Sequence, residues 1–305
     1  MSRGPESTSD EPWTGTPPAE VCIDSELVRG LLLSQRPELA HLPLERVDAG
    51  WDNEIFRLGE AAAVRLPRRA AAAALIEHEQ RWLPRLAPQL PLPVPVPQFA
   101  GQSGCGYPWC WSVVPWFPGE GADIMTPGTG QALVWSKFLR ALHVPASDQA
   151  PRNPMRGVAL RERAAAVEAR MQRLERTTTM MSAAVRRAWE AGLAARSAET
   201  HIWIHGDLHA RNVLVEDRAL SAVVDWGDVS AGDPATDLAS VWTVFDDPGA
   251  RERTMQSYDA GQDTWARARA WAILLAVMLA DSGLRDNPRN AAAGAAILRR
   301  VCTGP

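Results

Sequence analysis

Three oxygen-bearing side chains occupy loop positions in one strand-rich part of the sequence. An apolar strand, Ile202–Ile204, leads into a polar loop that carries Asp207 and, five residues later, Asn212. A second hairpin then ends at Asp225, directly before a glycine. Oxygen ligands of this kind suit a hard divalent cation, and a carboxylate beside them can orient a reacting hydroxyl. The pattern indicates metal-assisted chemistry, although a hairpin with incidental acidic residues would have the same composition.

Three motifs follow one another here: His205-Gly206-Asp207 with Asn212, then Val224-Asp225-Trp226-Gly227, then Gly232-Asp233-Pro234 with Asp237-Leu238-Ala239. The series resembles the catalytic core of the aminoglycoside phosphotransferase family, a branch of the protein-kinase-like fold with choline kinases and macrolide phosphotransferases as relatives. Protein kinases carry H-R-D-x-x-x-x-N and D-F-G at the corresponding places. The resemblance extends from about Leu44 to the C-terminus.

The resemblance implies transfer of a γ-phosphate from ATP or GTP to a hydroxyl group of a small molecule. Asp207 would accept or orient the proton of that hydroxyl as it attacks the γ-phosphorus. Asn212 and Asp225 would hold Mg²⁺ against the phosphates and neutralise the charge of the transition state. The expected partners are therefore a nucleoside triphosphate and a hydroxylated small-molecule acceptor.

Four further residues of this region have expected roles around the same loop. His205 would support the loop by hydrogen bonding and would not itself be the base. Asp237, at the start of a helix, would brace the loop, and Asp228 would contact the acceptor. His209 is ambiguous between a structural and a functional role.

The nucleotide-binding residues must come from the first part of the chain. The stretch that contains Gly50 and Asn53 resembles the phosphate-covering loop of the family. Arg65 falls where the family usually has its phosphate-gripping lysine, and Glu79, on the buried stripe of a helix, is its expected partner. An arginine can grip phosphate, although its planar fork differs in geometry from a lysine.

Two other segments bear on the donor site. The segment Val64-Arg65-Leu66-Pro67-Arg68 is similar to the Leu-Arg-Ile-Pro-Arg of some members related to macrolide phosphotransferases. Adenine or guanine would lie against the connector that contains Val114 and Trp116, through backbone amides and carbonyls.

These residues must be positioned by helices and strands, and the order of the predicted elements indicates an α+β, bilobal protein-kinase-like fold. Residues 1–20 have the composition of a disordered tail, 21–117 would form a small nucleotide-binding lobe with an antiparallel sheet, and 118–305 a mainly helical lobe for catalysis and acceptor binding. In the first lobe we expect helices at Ser25–Arg36, with a serine cap, and at Arg68–Leu86. Between them, strands Ile55–Leu58 and Ala63–Leu66 would be joined by Gly59-Glu60 after a turn at Asp48–Glu54.

The second lobe follows a proline-rich connector. Alternating prolines between Leu86 and Gln98 forbid a helix or a central strand, and Tyr107–Trp116 has strand character. The helices that we expect after the lobe boundary are Gln131–His143, Leu160–Leu174, Ala183–Ala195, Ser240–Asp246 and Thr264–Gly283.

Composition excludes several classes of protein. The 32 basic residues are 31 arginines and one lysine, Lys137, which has no glycine-rich approach, so the chain has no Walker A loop. A net charge of −4 lacks the positive field of a nucleic-acid binder. The longest aliphatic stretch, Trp271–Ala280, is too short to span a membrane and predicts a core helix. The scattered cysteines show no zinc spacing, and a reducing cytoplasm is the expected location.

The acceptor remains open. Residues 225–305 hold eleven acidic residues and eight arginines, whereas 151–200 hold ten arginines and five glutamates. The basic segment weakens the case for a polycationic aminoglycoside without excluding it, so an aminoglycoside, a macrolide and another hydroxylated metabolite all stay open as acceptors. Tryptophans such as Trp135, Trp189, Trp242, Trp265 and Trp271 could line a sugar pocket, but core packing is the simpler interpretation. A kinase-like protein that binds ligands without turnover is the second class, and the missing lysine is its only support.

Overall fold

A computed structural model describes residues 17–49, 51–198 and 201–303. Residues 1–16 of the predicted tail lie outside these ranges, and so does Gly50. Glu20 contacts the second helix of the fold: its Oε2 accepts a hydrogen bond from the Ala70 N–H at 2.9 Å. Its own N–H donates to the Arg68 carbonyl at 2.8 Å.

The first half of the chain forms a five-stranded antiparallel sheet in the order β1-β2-β3-β5-β4. Its strands are β1 (Leu44–Ala49), β2 (Asn53–Leu58), β3 (Ala62–Pro67), β4 (Phe99–Gly101) and β5 (Trp111–Pro115). The two predicted strands pair as expected, with Ile55 opposite Arg65. The turn expected at Asp48–Glu54 is wrong at both ends, because β1 reaches Ala49 and β2 begins at Asn53.

Two helices accompany this sheet, α1 (Ser25–Gln35) and α2 (Ala70–Leu86). The predicted serine cap is wrong: the Asp24 side chain caps α1 by accepting from the Leu27 N–H at 2.8 Å. Glu79 lies on the buried stripe of α2 as predicted, together with Ile76 and Trp82. The proline-rich connector that follows has no strand between Leu90 and Gln98, as predicted, but a short 3₁₀ helix at Ala87–Gln89 shows that its first residues are helical after all.

The second half of the chain is mainly helical. Its helices are α3 (Ala132–Leu142), α4 (Leu160–Thr177), α5 (Ala183–Ala194), α6 (Ala235–Leu238), α7 (Ser240–Val244), α8 (Pro248–Tyr258), α9 (Gln262–Asp286) and α10 (Pro288–Arg300). Its short strands are β6 (Glu120–Gly121), β7 (Ile202–Ile204), β8 (Val213–Glu216), β9 (Ala219–Val223) and β10 (Ser230–Gly232). They form the sheets β6-β8-β9 and β10-β7. The mixed α+β architecture agrees with the predicted fold class.

The helix α9 is the centre of this half, and α4, α5, α6 and α10 pack against it. Every residue from Ala270 to Val277 is buried, as expected of a core helix. Gly294 of α10 lets the two helices approach closely: a Cβ there would lie 2.5 Å from the Ala276 carbonyl oxygen and 2.6 Å from the Ala280 nitrogen. Among the described helices, none combines the length and the apolar character that a bilayer crossing requires.

Two hydrophobic cores hold the fold together. One lies between α1 and the five-stranded sheet. The other fills the helical half and includes the buried tryptophans Trp135, Trp189, Trp242 and Trp271. The end of α2 belongs to this second core, because Trp82 contacts Trp203 with ring centroids 4.9 Å apart. Thus α2 links the sheet to the helical half.

Candidate active site

A cavity of about 400 Å³ opens between the five-stranded sheet and the helical half. Most of the site residues expected from the sequence line it: Asn53, Arg65, Val114, Trp116, Asp207, Asn212, Asp225 and Asp228. His205 and Glu79 are fully buried behind this surface. Of the tryptophans considered for a sugar pocket, none lines the cavity, and four of the five are buried in the core.

The carboxylate of Asp207 faces two cationic or hydrogen-bonding side chains. The guanidinium of Arg156 donates from Nη2 to Oδ1 at 2.6 Å. His209 places Nε2 3.4 Å from Oδ2. Burial opposes ionisation of Asp207, but Arg156 and then His209 outweigh it and hold its pKa well below the usual range. Asp207 is therefore a carboxylate, able to accept a hydrogen bond from a hydroxyl.

The loop that presents Asp207 is held by buried hydrogen bonds. Asp237 accepts from the His205 N–H at 2.6 Å and from the Gly206 N–H at 2.9 Å. His205 lies with Nε2 3.0 Å from the Val224 carbonyl, while its Nδ1 accepts from the Asp207 N–H at 3.3 Å. Burial lowers the pKa of His205, so its ring is neutral. Both side chains therefore contact the loop in the way that bracing requires.

Gly206 is required by the backbone of this loop. Its φ of 88° lies in the left-handed region, and a Cβ would stand 2.6 Å from the Asp228 carbonyl oxygen. The loop can therefore approach the segment after Asp225 only with glycine at this place.

Asn212 and Asp225 offer oxygen atoms to the cavity. The Asn212 amide donates from Nδ2 to the Asp207 carbonyl at 2.9 Å, so its Oδ1 is not needed for this bond and can act as an acceptor. Asp225 has a left-handed backbone, with φ of 62°, and its side chain is 48% exposed. One amide oxygen and one exposed carboxylate are hard ligands of the type that Mg²⁺ binds, so these residues fit a divalent cation.

Arg65 connects β3 to two carboxylates from other elements. Its Nη1 donates to Glu79 of α2 at 2.5 and 2.6 Å, and its Nη2 donates to Asp225 Oδ1 at 2.8 Å. Burial would lower the pKa of Arg65, but the two carboxylates raise it above its ordinary value. Glu79 also accepts from the Trp226 N–H at 3.2 Å. Arg65 therefore holds α2 and the Asp225 loop beside one strand with a permanent positive charge.

Asp228 lies close to Asp207 and is held by a neighbouring loop. Its Oδ1 accepts from Asn153 Nδ2 at 2.6 Å. Burial, followed by the charge of Asp207, raises the pKa of Asp228 to about 6. The end of the cavity near Asp207 therefore contains a carboxyl group that changes charge close to neutral pH.

The sheet side of the cavity is more apolar. Asn53 is buried at the start of β2, and its Oδ1 has no hydrogen-bond partner within the described parts of the chain. Val114 and Trp116 line the wall, and the Trp116 N–H donates to the Ala61 carbonyl at 2.8 Å. The expectation that backbone amides of this connector bind a purine therefore does not extend to Trp116, whose amide is already used.

Sequence reasoning missed the residues on the far side of Asp207. Arg156 and Asn153 lie in a loop of irregular sequence before α4, where no period or motif marks them. Leu275, Met278 and Leu279 of α9 line an apolar wall of the cavity. Their sequence pattern is that of a core helix, so only the fold shows that one face reaches the site.

The sequence model described as "Phosphotransferase enzyme family" matches residues 43–271, which is most of the chain. The chain belongs to this phosphotransferase family. A 73-residue stretch is 41% identical to viomycin phosphotransferase of Streptomyces vinaceus, covering 22% of this chain and 25% of that protein. The chain therefore matches about a quarter of the length of this curated relative.

Solved structures of other phosphotransferases share the fold of this family member. Aminoglycoside 2'-phosphotransferase-IIIa, solved as its GDP complex, has a TM-score of 0.63 at 16% identity, over 89% of this chain and 96% of its own. Macrolide 2'-phosphotransferase of Brachybacterium faecium has a TM-score of 0.58 at 22% identity, over 87% and 96%. At these identities the likeness shows the fold alone.

Proposed function

We propose that this phosphotransferase moves the γ-phosphate of ATP or GTP to a hydroxyl group of a small molecule. The observation that supports this most directly is the meeting of Asp207, Asn212 and Asp225 at one cavity, opposite Arg65. A protein that only binds ligands would not need all four. A solved relative is a GDP complex, which agrees with a nucleoside triphosphate donor.

In the proposed reaction, the nucleotide lies along the sheet side of the cavity, with the base near Val114 and Trp116. Arg65 contacts the α- and β-phosphates, and Glu79 holds the guanidinium in place for this contact. Gly50 and Asn53 belong to the loop that would cover the phosphates. Residues 21–117 would thus supply the donor site, and 118–305 the catalytic and acceptor sites.

Asn212 and Asp225 would hold Mg²⁺ together with phosphate oxygens. These two side chains supply only part of a Mg²⁺ coordination shell, and Mg²⁺ at nucleotide sites usually takes further ligands from phosphates and water. When bound, Mg²⁺ neutralises charge that develops on the transferred group. Asn212 also fixes the Asp207 backbone, so the residue that holds the metal positions the base as well.

Asp207 would orient the acceptor hydroxyl and accept its proton as the oxygen attacks the γ-phosphorus. His205 and Asp237 keep its loop in place without touching the reacting atoms. Asp228 lies beside Asp207 and would contact the acceptor. The reaction is then in-line transfer, with positioning and charge neutralisation as the main sources of rate.

The acceptor end of the cavity favours a molecule with an apolar face over a polycation. The apolar wall consists of Leu275, Met278 and Leu279. The positive charge of Arg156 lies against Asp207 and would repel a cationic acceptor. Relatives act on both kinds of antibiotic, because solved structures include an aminoglycoside enzyme with kanamycin and macrolide 2'-phosphotransferases. We propose a neutral or weakly charged hydroxylated antibiotic or metabolite, with macrolides the first class to test.

Changing Asp207→Asn tests the reaction. We expect it to lower phosphate transfer by about 10²–10⁴-fold, the usual contribution of a positioned general base. Transfer is followed by mass spectrometry over a panel of macrolides, aminoglycosides, viomycin and small amino alcohols, with ATP or GTP.

Asp217→Asn is the matched control, because Asp217 is an exposed acid in the tight turn between β8 and β9. Its left-handed backbone, with φ of 48°, also tolerates asparagine. Full turnover by the Asp207 variant would contradict the proposed mechanism. Failure of the wild-type protein to modify any member of the panel while it consumes no nucleotide would favour ligand binding without turnover.

A further inference from the structure

Arg156 occupies one oxygen of the Asp207 carboxylate, the group that would accept the proton of the acceptor hydroxyl. Its Nη2 lies 2.6 Å from Oδ1, while His209 faces Oδ2. The Asp207 side chain is only 19% exposed, so little of the carboxylate remains open to the cavity. Among the described residues, Asp207 is the only carboxylate within ion-pair distance of Arg156.

The backbone of Arg156 is anchored, whereas its guanidinium reaches into the cavity. The Arg156 N–H donates to Asn153 Oδ1 at 3.0 Å, and its carbonyl accepts from Thr236 Oγ1 at 3.3 Å. The other end of the guanidinium, Nη1, lies 3.9 Å from the sulfur of Met278 on the apolar wall. An acceptor packed against Met278 would therefore contact the guanidinium and compete for its place.

We infer that Arg156 caps the catalytic carboxylate until an acceptor binds, and so suppresses transfer of phosphate to water. The inference rests on the proposed function. In an uncapped site, a water oxygen would bond to the γ-phosphorus and pass a proton to Asp207. The bond to the β–γ bridging oxygen would break, releasing nucleoside diphosphate and inorganic phosphate. The Arg156 guanidinium is paired with the carboxylate that would receive this proton. A large acceptor displaces the guanidinium, whereas a single water molecule does not.

Arg156→Gln tests the cap without knowledge of the acceptor. With ATP or GTP and Mg²⁺ alone, we expect phosphate release to rise on the order of tenfold, a small part of what a positioned base contributes.

Arg163→Gln is the matched control. Arg163 also contacts a methionine sulfur, with Nη1 3.3 Å from Met155, but in the described parts of the chain burial and other arginines, and no carboxylate, shift its pKa downward. We expect its hydrolysis to equal that of the wild type. Arg156→Lys keeps the charge with fewer donors, and should show a rise smaller than that of Arg156→Gln.

Several results would overturn the cap. Hydrolysis that is unchanged or lower in Arg156→Gln, with nucleotide binding retained, would show that the arginine serves another purpose. If that variant does not fold, wild-type hydrolysis in Arg156→Lys would decide against the cap. Loss of transfer in Asp207→Asn together with wild-type hydrolysis in Arg156→Gln would overturn the cap alone, whereas full transfer in Asp207→Asn would overturn the proposed function.

Discussion

Arg65 uses different nitrogens of its guanidinium for two carboxylates on different elements. This requires a planar fork, because one ammonium group would have to reach Glu79 and Asp225 from a single point. Arg65, which the sequence predicts in place of the family's lysine, thus makes its own network of ion pairs. The arginine is part of the fold as well as of the donor site that we propose.

Arg65→Ala should therefore reduce both stability and nucleotide affinity. Glu79 is fully buried, and removal of its partner leaves an uncompensated charge, at a cost of about 3–5 kcal/mol of unfolding free energy. Denaturant unfolding and the nucleotide KM measure the two effects. Arg65→Lys keeps the charge and should lose less of each, while an unchanged KM in Arg65→Ala would remove this residue from the phosphate site.

Single site residues could be predicted from the sequence where they belong to motifs with fixed spacing. Asp207, Asn212 and Asp225 follow from a pattern of loops at strand ends, and the structure brings them to one cavity. Arg156 and Asn153 could not be predicted, because their loop has no periodicity and reaches Asp207 only through tertiary folding. Long side chains that meet across distant elements leave no local signal.

Among the elements, α10 shows how closely the helices of the second half pack. Gly294 faces the backbone of α9, with no space for a side chain. Gly294→Val should push the helices apart and lower the unfolding free energy by about 1–3 kcal/mol, the usual cost of overpacking. Thermal or denaturant unfolding measures it.

Ala292→Val is the control for this change, since residue 292 is exposed on the same helix. There we expect only the small propensity cost of a β-branched residue, about 0.5 kcal/mol. Equal losses in the two variants would mean that helix propensity, and not the close approach of α9, makes Gly294 important.

Helices with a clear apolar period were predicted well, and α3, α4, α5 and α9 are confirmed. The helix α8 was not predicted, because it is mostly polar and buries only Ala250, Arg251 and Thr254. The strand β1 was missed because most of its described side chains are exposed at the sheet edge. Neither element has a hydrophobic pattern that would predict it, because both are stabilised mainly by contacts with distant parts of the chain.

For the whole molecule, the proposed donor site has parts from both halves of the chain. Arg65 comes from the sheet, and Asn212 and Asp225 come from loops of the helical half. A nucleotide bound between them should stabilise the folded chain, since ligands that bind only the native state add about 2.7 kcal/mol at a hundredfold excess over Kd.

We therefore expect ATP or GTP with Mg²⁺ to raise the Tm by roughly 5 °C, and the nucleotide without Mg²⁺ to raise it less. Asp225→Asn should lose the Mg²⁺-dependent part of the shift, because a carboxylate ligand is removed. Differential scanning fluorimetry gives both values. The same shift with and without Mg²⁺ in the wild type would contradict the role proposed for Asn212 and Asp225.

Lys137 lies exposed on α3 and does not line the cavity. It is also the one lysine of the chain. Acylating nucleotide probes, which label kinases by reacting with a lysine beside the phosphates, would find no amine in the cavity of this enzyme. Amine-reactive dyes would instead mark Lys137 and the N-terminal amine, so the protein can be tethered to a surface through a side chain outside its cavity.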